Sequence, residues 1–323
     1  MFGLDSAPAN ARVVLLPVPW EATTSYGRGT ARGPEAIQRA SQQIDLFDLD
    51  TGDPYEHGIA MLLPSGELVD AAARAAECAL RVIAAGDRAD ASDIDAVNEL
   101  SAWLDEHVAT QAQRWLADDK LVGTVGGDHS VAFGAIRAHA QAFDCLGVLQ
   151  FDAHADLRVA YQGFVGSHAS VMHRVMSATT VSKLVSVGVR DLGKGEYEAI
   201  RADDRIEAFF DTDIAQRLET GEPFAQIASE IAEALPRNVY VSFDIDGLDP
   251  SLCPNTGTPV PGGLSLHQAN AVLRAVVASG RRIVGFDLCE VAPGLDEWDA
   301  NVGARVLYKL IGFALNSGAG AKT

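Results

Sequence analysis

Four short stretches of this chain end in side chains whose types and spacing could do chemistry. In "LQFDAHADLR" (Leu149 to Arg158) an apolar run stops at Asp152, His154 and Asp156, two carboxylates around an imidazole in a D-x-H-x-D spacing. In "YVSFDIDGLDP" another run delivers Asp244 and Asp246 before Gly247 and Pro250 break the strand. "LVGTVGGDHS" ends in Asp128 and His129, with Ser130 placed to cap the next helix, and "IVGFDLCEVAP" ends in Glu290 ahead of Pro293. Any one of these has an ordinary explanation, since Asp after a strand is common turn chemistry. Jointly, His129, Asp152, His154, Asp156, Asp244 and Asp246 bring four carboxylates and two imidazoles together, and such a set repels itself unless cations lie within it.

The donor types select the cation. The set contains no thiolate, and six donors exceed what one catalytic ion with an open position needs. Two divalent ions sharing carboxylates, typically about 3.5–4 Å apart, fit better. Mn²⁺ suits this hard, oxygen-rich set, with Ni²⁺, Co²⁺ or Zn²⁺ as possible substitutes. A pair of this kind lowers the pKa of water to give hydroxide near neutral or mildly alkaline pH. The chemistry expected is hydrolysis.

The elements that must position these groups are legible as apolar runs. "RVVLLPV", "LVGTV", "CLGVLQFD", "KLVSVGV", "IEAFFD", "NVYVSFDID" and "RIVGFDLCE" read as strands. Between them lie amphipathic helical patterns, among them "ELVDAAARAAECALRVIAA", "VNELSAWLDEHVATQAQRWLADD", "SVAFGAIRAHAQAF", "EPFAQIASEIAEAL" and "LSLHQANAVLRAVVAS". Strands apolar throughout and alternating with helices predict a parallel sheet covered on both faces. Ligand sites in such sheets lie beyond the carboxyl ends of the strands. The polar strand ends are therefore expected to converge on one rim.

Composition bounds the rest. A chain of 323 residues, 48% hydrophobic, can bury a substantial core. Net charge of −19 argues against nucleic acid, which requires basic surface to neutralise phosphates. Cys78, Cys145, Cys253 and Cys289 are scattered without a C-x-x-C pair, and read as reduced, mostly buried residues of a cytoplasmic protein. No apolar run is long enough to span a bilayer. "AGDRADASDIDAVNE" (Ala85 to Glu99) reads as an acidic surface excursion.

G-G-D-H-S (Gly126 to Ser130), D-A-H-A-D (Asp152 to Asp156) and S-F-D-I-D-G-L-D-P (Ser242 to Pro250) resemble, in order, the three signatures of the ureohydrolase superfamily of arginases, agmatinases, formiminoglutamases and guanidino-acid hydrolases. The resemblance extends to "YGRGTARGPEAI", "TGTPVPGGLS" and "DLCEVAPGLD". It implies one domain over residues 1–323, a three-layer αβα sandwich around an eight-stranded, mainly parallel sheet, and two Mn²⁺ ions per subunit. By motif position, one ion would be held by His129, Asp152, Asp156 and Asp244, the other by Asp152, His154, Asp244 and Asp246. The resemblance further implies that Asp156 relays a proton, that His168 in "GSHASV" is a mobile proton shuttle, and that Glu290 pairs with a guanidinium. It also implies a homo-oligomer, trimer or hexamer. His57, His107, His139, His173 and His267 read as surface or structural.

Substrate choice turns on the loop after D-A-H-A-D. Where arginases typically carry Asn two residues beyond that motif, this chain has Arg158, which either contacts substrate or ties down its own loop through acidic neighbours. The string "DAHADLRVAYQGFVGSHASVMHRV" is similar to prokaryotic agmatinases, so a small cationic guanidino substrate, agmatine, giving putrescine and urea, is the leading expectation. Aminopropylagmatine, a guanidino acid, guanidine, arginine or a formimino substrate are the alternatives within the class. Outside it stand a single-zinc deacetylase and a non-enzymatic metal-binding role.

Overall fold

A computed structural model describes residues 1–318. The strands are β1 (Val13–Val18), β2 (Ile59–Met61), β3 (Leu121–Gly126), β4 (Leu146–Phe151), β5 (Lys183–Val187), β6 (Ile206–Phe209), β7 (Asn238–Asp244) and β8 (Arg282–Cys289). They form one sheet in the order β2-β1-β3-β8-β7-β4-β5-β6, with every pairing parallel. The expected eight-stranded α/β architecture is thus observed, wholly rather than mainly parallel. Seven strands coincide with the apolar runs. β2 has only three residues at the sheet edge, too few to leave a periodic signal.

The helices are α1 (Gly33–Ala40), α2 (Gly66–Ala85), α3 (Ala91–Ala117), α4 (Ala132–Ala142), α5 (Val171–Ala178), α6 (Lys194–Ala202), α7 (Asp211–Glu219), α8 (Phe224–Glu233), α9 (Leu266–Ala278) and α10 (Trp298–Asn316). Alternate strand residues point to opposite faces. Leu149, Phe151, Val241, Phe243 and Phe286 share a core with α1, α8, α9 and α10, while Val148, Leu184 and Tyr240 pack with α2 to α5. Burying both faces is why the strands read as unbroken apolar runs. No helix among the described residues is long and apolar enough to cross a membrane.

Sheet order explains how distant motifs meet. β3, β8, β7 and β4 are consecutive neighbours at the centre of the sheet, and they are the four strands whose C-terminal ends carry the polar clusters.

Three expectations need correction. The acidic stretch from Ala85 to Glu99 lies at the surface as expected, but it is largely helical rather than an insert between helices: after the short turn at Gly86–Arg88, α3 begins at Ala91. Asp90 caps that helix by accepting from the Ser92 N–H, and Asp93 accepts from Arg81 Nε of α2 at 2.9 Å, so the acidic groups close the α2–α3 hairpin. The cap following β3 is Asp128 rather than Ser130, with the Asp128 carboxylate accepting from the Ser130 N–H. Of the cysteines, Cys253 and Cys289 are buried, but Cys78 is half-buried and Cys145 is exposed where the chain turns into β4.

Candidate metal centre

The strand ends are held by hydrogen bonds from their own loops. The Asp152 carboxylate accepts from the His154 N–H at 2.7 Å, the Asp244 carboxylate from the Asp246 N–H at 2.9 Å, and the Asp246 carboxylate from the Ala153 N–H at 3.0 Å. Each turn thereby orients one carboxylate and ties β4 to β7. Asp128 does the same for a neighbouring loop, its Oδ2 accepting from the Ala22 N–H at 3.0 Å.

All six expected donors come together at one rim. His129 Nδ1 lies 3.0 Å from Asp156 Oδ2, 3.1 Å from Asp152 Oδ2 and 3.5 Å from Asp244 Oδ2. His154 Nδ1 lies 3.1 Å from Asp246 Oδ2 and 3.5 Å from Asp152 Oδ1. Asp152 therefore turns one oxygen toward each imidazole. Two groups have donor atoms close enough to hold an ion, His129–Asp152–Asp244 and Asp152–His154–Asp246, and Asp152 belongs to both. Asp156 joins through its contact with His129.

Electrostatics show how unbalanced the cluster is. His129 is 1% exposed and Asp152 0%, so water cannot screen them. Burial, then the charges of Asp246 and Asp152, push the Asp244 carboxyl well above its ordinary range, and burial with Asp152 pushes Asp156 up to about 7. Burial alone would lower the His154 pKa, but hydrogen bonds to the Asp152 and Asp246 carboxylates outweigh it and raise it to about 12. The donor set calls for positive charge between its carboxylates. Divalent cations fit the same demand: all donors are oxygen or imidazole nitrogen, and one carboxylate is shared between two groups.

Around this cluster lie the other expected residues. Glu290 is buried, its Oε1 accepting from the His129 N–H at 2.9 Å while Oε2 has no partner among the described residues. Asp156 and Glu290 both adopt left-handed backbone, φ 53° and 62°, an unfavourable conformation for side chains of this type. The Asp156 carbonyl accepts from the Met172 and His173 N–H groups, and the Thr256 hydroxyl donates to the Glu290 carbonyl, which fixes both turns. A cleft opens over the cluster between His154, Asp156, Arg158, Tyr161, His168 and Thr258. On its wall, His168 Nδ1 lies 3.2 Å from the Thr23 hydroxyl, and desolvation together with positive charge on His154 and His129 pushes its pKa down to about 4.

Arg158 also reaches the cleft, but its Nε lies 3.5 Å from Glu196 Oε2 and its guanidinium sits 5.1 Å over the Tyr161 ring. Glu196 in turn accepts from the Leu157 and Gly193 N–H groups. The contacts in place are thus those that tie down its own loop. Of the histidines read as structural, His139 is fully buried with Nδ1 2.8 Å from the Ala135 carbonyl, and His107 stacks on Trp103. Sequence reasoning did not single out Gln150, Ser242 and Asp287, buried beside the donors. Their only signal is a polar residue inside an apolar strand, two positions before its end or nearly so.

Residues 11–312 match the family model described as the Arginase family. An N(1)-aminopropylagmatine ureohydrolase of Thermus thermophilus is 37% identical over 314 residues, spanning 97% of this chain and 94% of the relative. An agmatinase of Proteus mirabilis is 31% identical over 317 residues, spanning 96% and 90%. Among solved structures, the agmatine ureohydrolase of Thermoplasma volcanium superposes with a TM-score of 0.74 at 22% identity, over 97% of this chain and 92% of that one. The fold is therefore shared well beyond the reach of sequence identity.

Proposed function

The chain belongs to the arginase family and is a metal-dependent ureohydrolase; on that premise we propose that it releases urea from a guanidinoalkylamine of the agmatine type. The observation that carries this reading is the juxtaposition of the shared-carboxylate donor cluster with the unpartnered Oε2 of Glu290, an acceptor buried beside it.

His129, Asp152, Asp156 and Asp244 would hold one divalent ion, and Asp152, His154, Asp244 and Asp246 the other, with Mn²⁺ the ion this hard donor set favours. Such a pair, when bound, supplies Lewis acidity and lowers the pKa of water. The chain's own residues do the rest. Glu290 Oε2 takes an N–H of the planar guanidinium, for which a buried carboxylate is the natural partner. Asp156 Oδ2, against the His129 ring, would take a proton from the water that attacks the guanidinium carbon and return it to the amine nitrogen as its C–N bond breaks and urea is released. The Thr23 hydroxyl accepts from the His168 N–H and so has its own proton free for Nδ1, which leaves the other ring nitrogen of His168 to exchange protons with the cleft.

Between candidate tails, N1-aminopropylagmatine is favoured by the Thermus relative at 37% identity. Agmatine, giving putrescine and urea, is the second reading, supported by the agmatinase at 31% and by the loop string after Asp156. Urea release from the Mn²⁺-loaded protein decides, measured as kcat/KM on N1-aminopropylagmatine, agmatine, L-arginine, guanidinobutyrate and guanidine. The highest value on either polyamine supports the class and ranks the tails. If guanidinobutyrate leads and Arg158→Ala abolishes its lead, Arg158 clamps a carboxylate and the amine reading is wrong.

A further inference from the structure

Beneath the donors runs a row of buried polar side chains. Thr124 of β3 is in register with Asp287 of β8, Asp287 with Ser242 of β7, Ser242 with Gln150 of β4, and Gln150 with Ser186 of β5. None is more than 2% exposed. The two-residue period of a strand sets Gln150 directly below Asp152 and Ser242 directly below Asp244. A polar stripe across five central strands of a sheet covered on both faces departs from the usual apolar pattern, and each member carries a desolvation cost.

Most of the row is hydrogen-bonded toward the donors. The Ser186 hydroxyl donates to Gln150 Oε1 at 2.6 Å, and Gln150 Nε2 donates to Asp152 Oδ2 at 2.8 Å. The Ser242 hydroxyl donates to Asp287 Oδ1 at 3.1 Å and lies 2.9 Å from His129 Nε2. Asp287 makes no ion pair among the described residues, and its Oδ2 has no hydrogen-bond partner. The Tyr240 hydroxyl, also buried, has no hydrogen-bond partner among the described residues either.

Proton counting gives this chain a direction. A serine hydroxyl has one proton, and here it is donated to Asp287 Oδ1. Toward His129 the Ser242 oxygen can then only accept, so Nε2 carries the ring proton. In the neutral ring, Nδ1 is left with a lone pair facing oxygens of Asp156, Asp152 and Asp244 at 3.0, 3.1 and 3.5 Å. A lone pair opposite three carboxylates is stable only with a cation between them. We propose that Asp287 is a positioning residue that, acting through Ser242, fixes His129 with Nδ1 free for a divalent ion. The proposal rests on the metal-centre reading of the site but not on any choice of substrate.

Chelator competition for Mn²⁺ tests it on wild type, Asp287→Leu, Asp287→Asn and Ser242→Ala, with the unfolding midpoint of each metal-free protein measured alongside. Asp287→Leu and Ser242→Ala are expected to bind one of the two ions roughly 10–100-fold more weakly, the size of effect that hydrogen-bond partners of metal-ligating histidines usually have. Asp287→Asn, whose Oδ1 still accepts from Ser242, is expected to stay within a few-fold of wild type. A purely structural role would move the unfolding midpoint of Asp287→Leu and leave its affinity alone, and that result overturns the proposal. Equal losses in Asp287→Asn and Asp287→Leu overturn it too, because charge rather than the hydrogen bond would then be acting. Should Asp287→Leu fail to fold, Ser242→Ala decides by itself, wild-type affinity being the overturning result. A wild-type protein that binds no Mn²⁺ refutes the metal centre instead, and a failed substrate assignment leaves every arm of the experiment intact.

Discussion

Asp152 turns Oδ2 toward His129 and Oδ1 toward His154, so a single side chain sits between the two halves of the cluster. Replacing it with Asn keeps the shape and removes the charge that both halves share. Asp152→Asn is therefore expected to lower metal content to fewer than two ions per chain and to abolish urea release. Metal analysis of the purified variant checks this, and two bound ions with wild-type turnover would contradict the sharing. His168 behaves differently because it stands on the cleft wall, against Thr23, and among the described residues belongs to neither donor group. His168→Ala is expected to cut kcat by about 10²–10⁴-fold, the usual contribution of a positioned acid–base group, with metal content unchanged. Loss of metal in that variant would move His168 into the ligand set. The donors themselves were legible because Asp and His at the end of an apolar run are unusual types at a recognisable spacing. Ser242 and Asp287 were not, because a lone polar residue inside a strand shows its purpose only once its neighbours in the sheet are known.

At the scale of elements, the site depends on how closely β3 and its loop approach the chain after β1. A Cβ on Gly127 would meet the Trp20 carbonyl oxygen at 1.8 Å, and that carbonyl accepts from the Asp128 N–H at 2.8 Å. Since backbone cannot swing aside as a flexible side chain does, Gly127→Ala must displace the loop that carries His129. It is expected to destabilise the fold by about 1–3 kcal/mol, as overpacking does, and to weaken metal binding as well. Gly195, inside α6, is the contrast, because a Cβ added there would meet nothing within 4 Å. Gly195→Ala is expected to be neutral or to stabilise by about 0.4–1 kcal/mol. Urea denaturation of both variants checks the pair, and similar effects at the two positions would sink the close-approach explanation. The runs that became β1, β3, β4, β5, β6, β7 and β8 were readable for the same reason that they are buried on both faces. β2 was missed because three residues have no period. The start of α3 was missed because its acidic residues look like loop until Asp90 is seen as a cap and Asp93 as a partner of Arg81.

For the whole molecule, convergence of the motifs was legible only in outline. Strand ends were expected at one rim, yet the adjacency of β3, β8, β7 and β4 is a property of topology that no local pattern carries. Cooperative stability is likewise global, and one buried group gives it a pH dependence of known sign. His139, on the buried face of α4, is fully buried, Nδ1 donating to the Ala135 carbonyl and Nε2 without a hydrogen-bond partner among the described residues, its ring edge-on to Tyr240 at 4.8 Å. Burial pushes its pKa from the ordinary 6.5 down to about 4. Between those values the unfolded chain binds a proton that the folded one refuses, so stability is fully present above about pH 6.5 and falls as the pH drops toward 4. At 1.36 kcal/mol per pH unit, the gap is worth about 3 kcal/mol. Asp156, its carboxyl pushed up to about 7 by burial and by Asp152, also changes protonation as the protein is acidified, so the measurement must be a difference. Unfolding free energies of wild type and His139→Gln, each saturated with the same metal, are compared at pH 7, 6, 5 and 4.5. The advantage of wild type over the variant is expected to shrink steadily with acidification, by close to one proton's worth per pH unit below about 6. A difference that stays flat across the range would mean that His139 is protonated in the folded protein and that its Nε2 has found a partner.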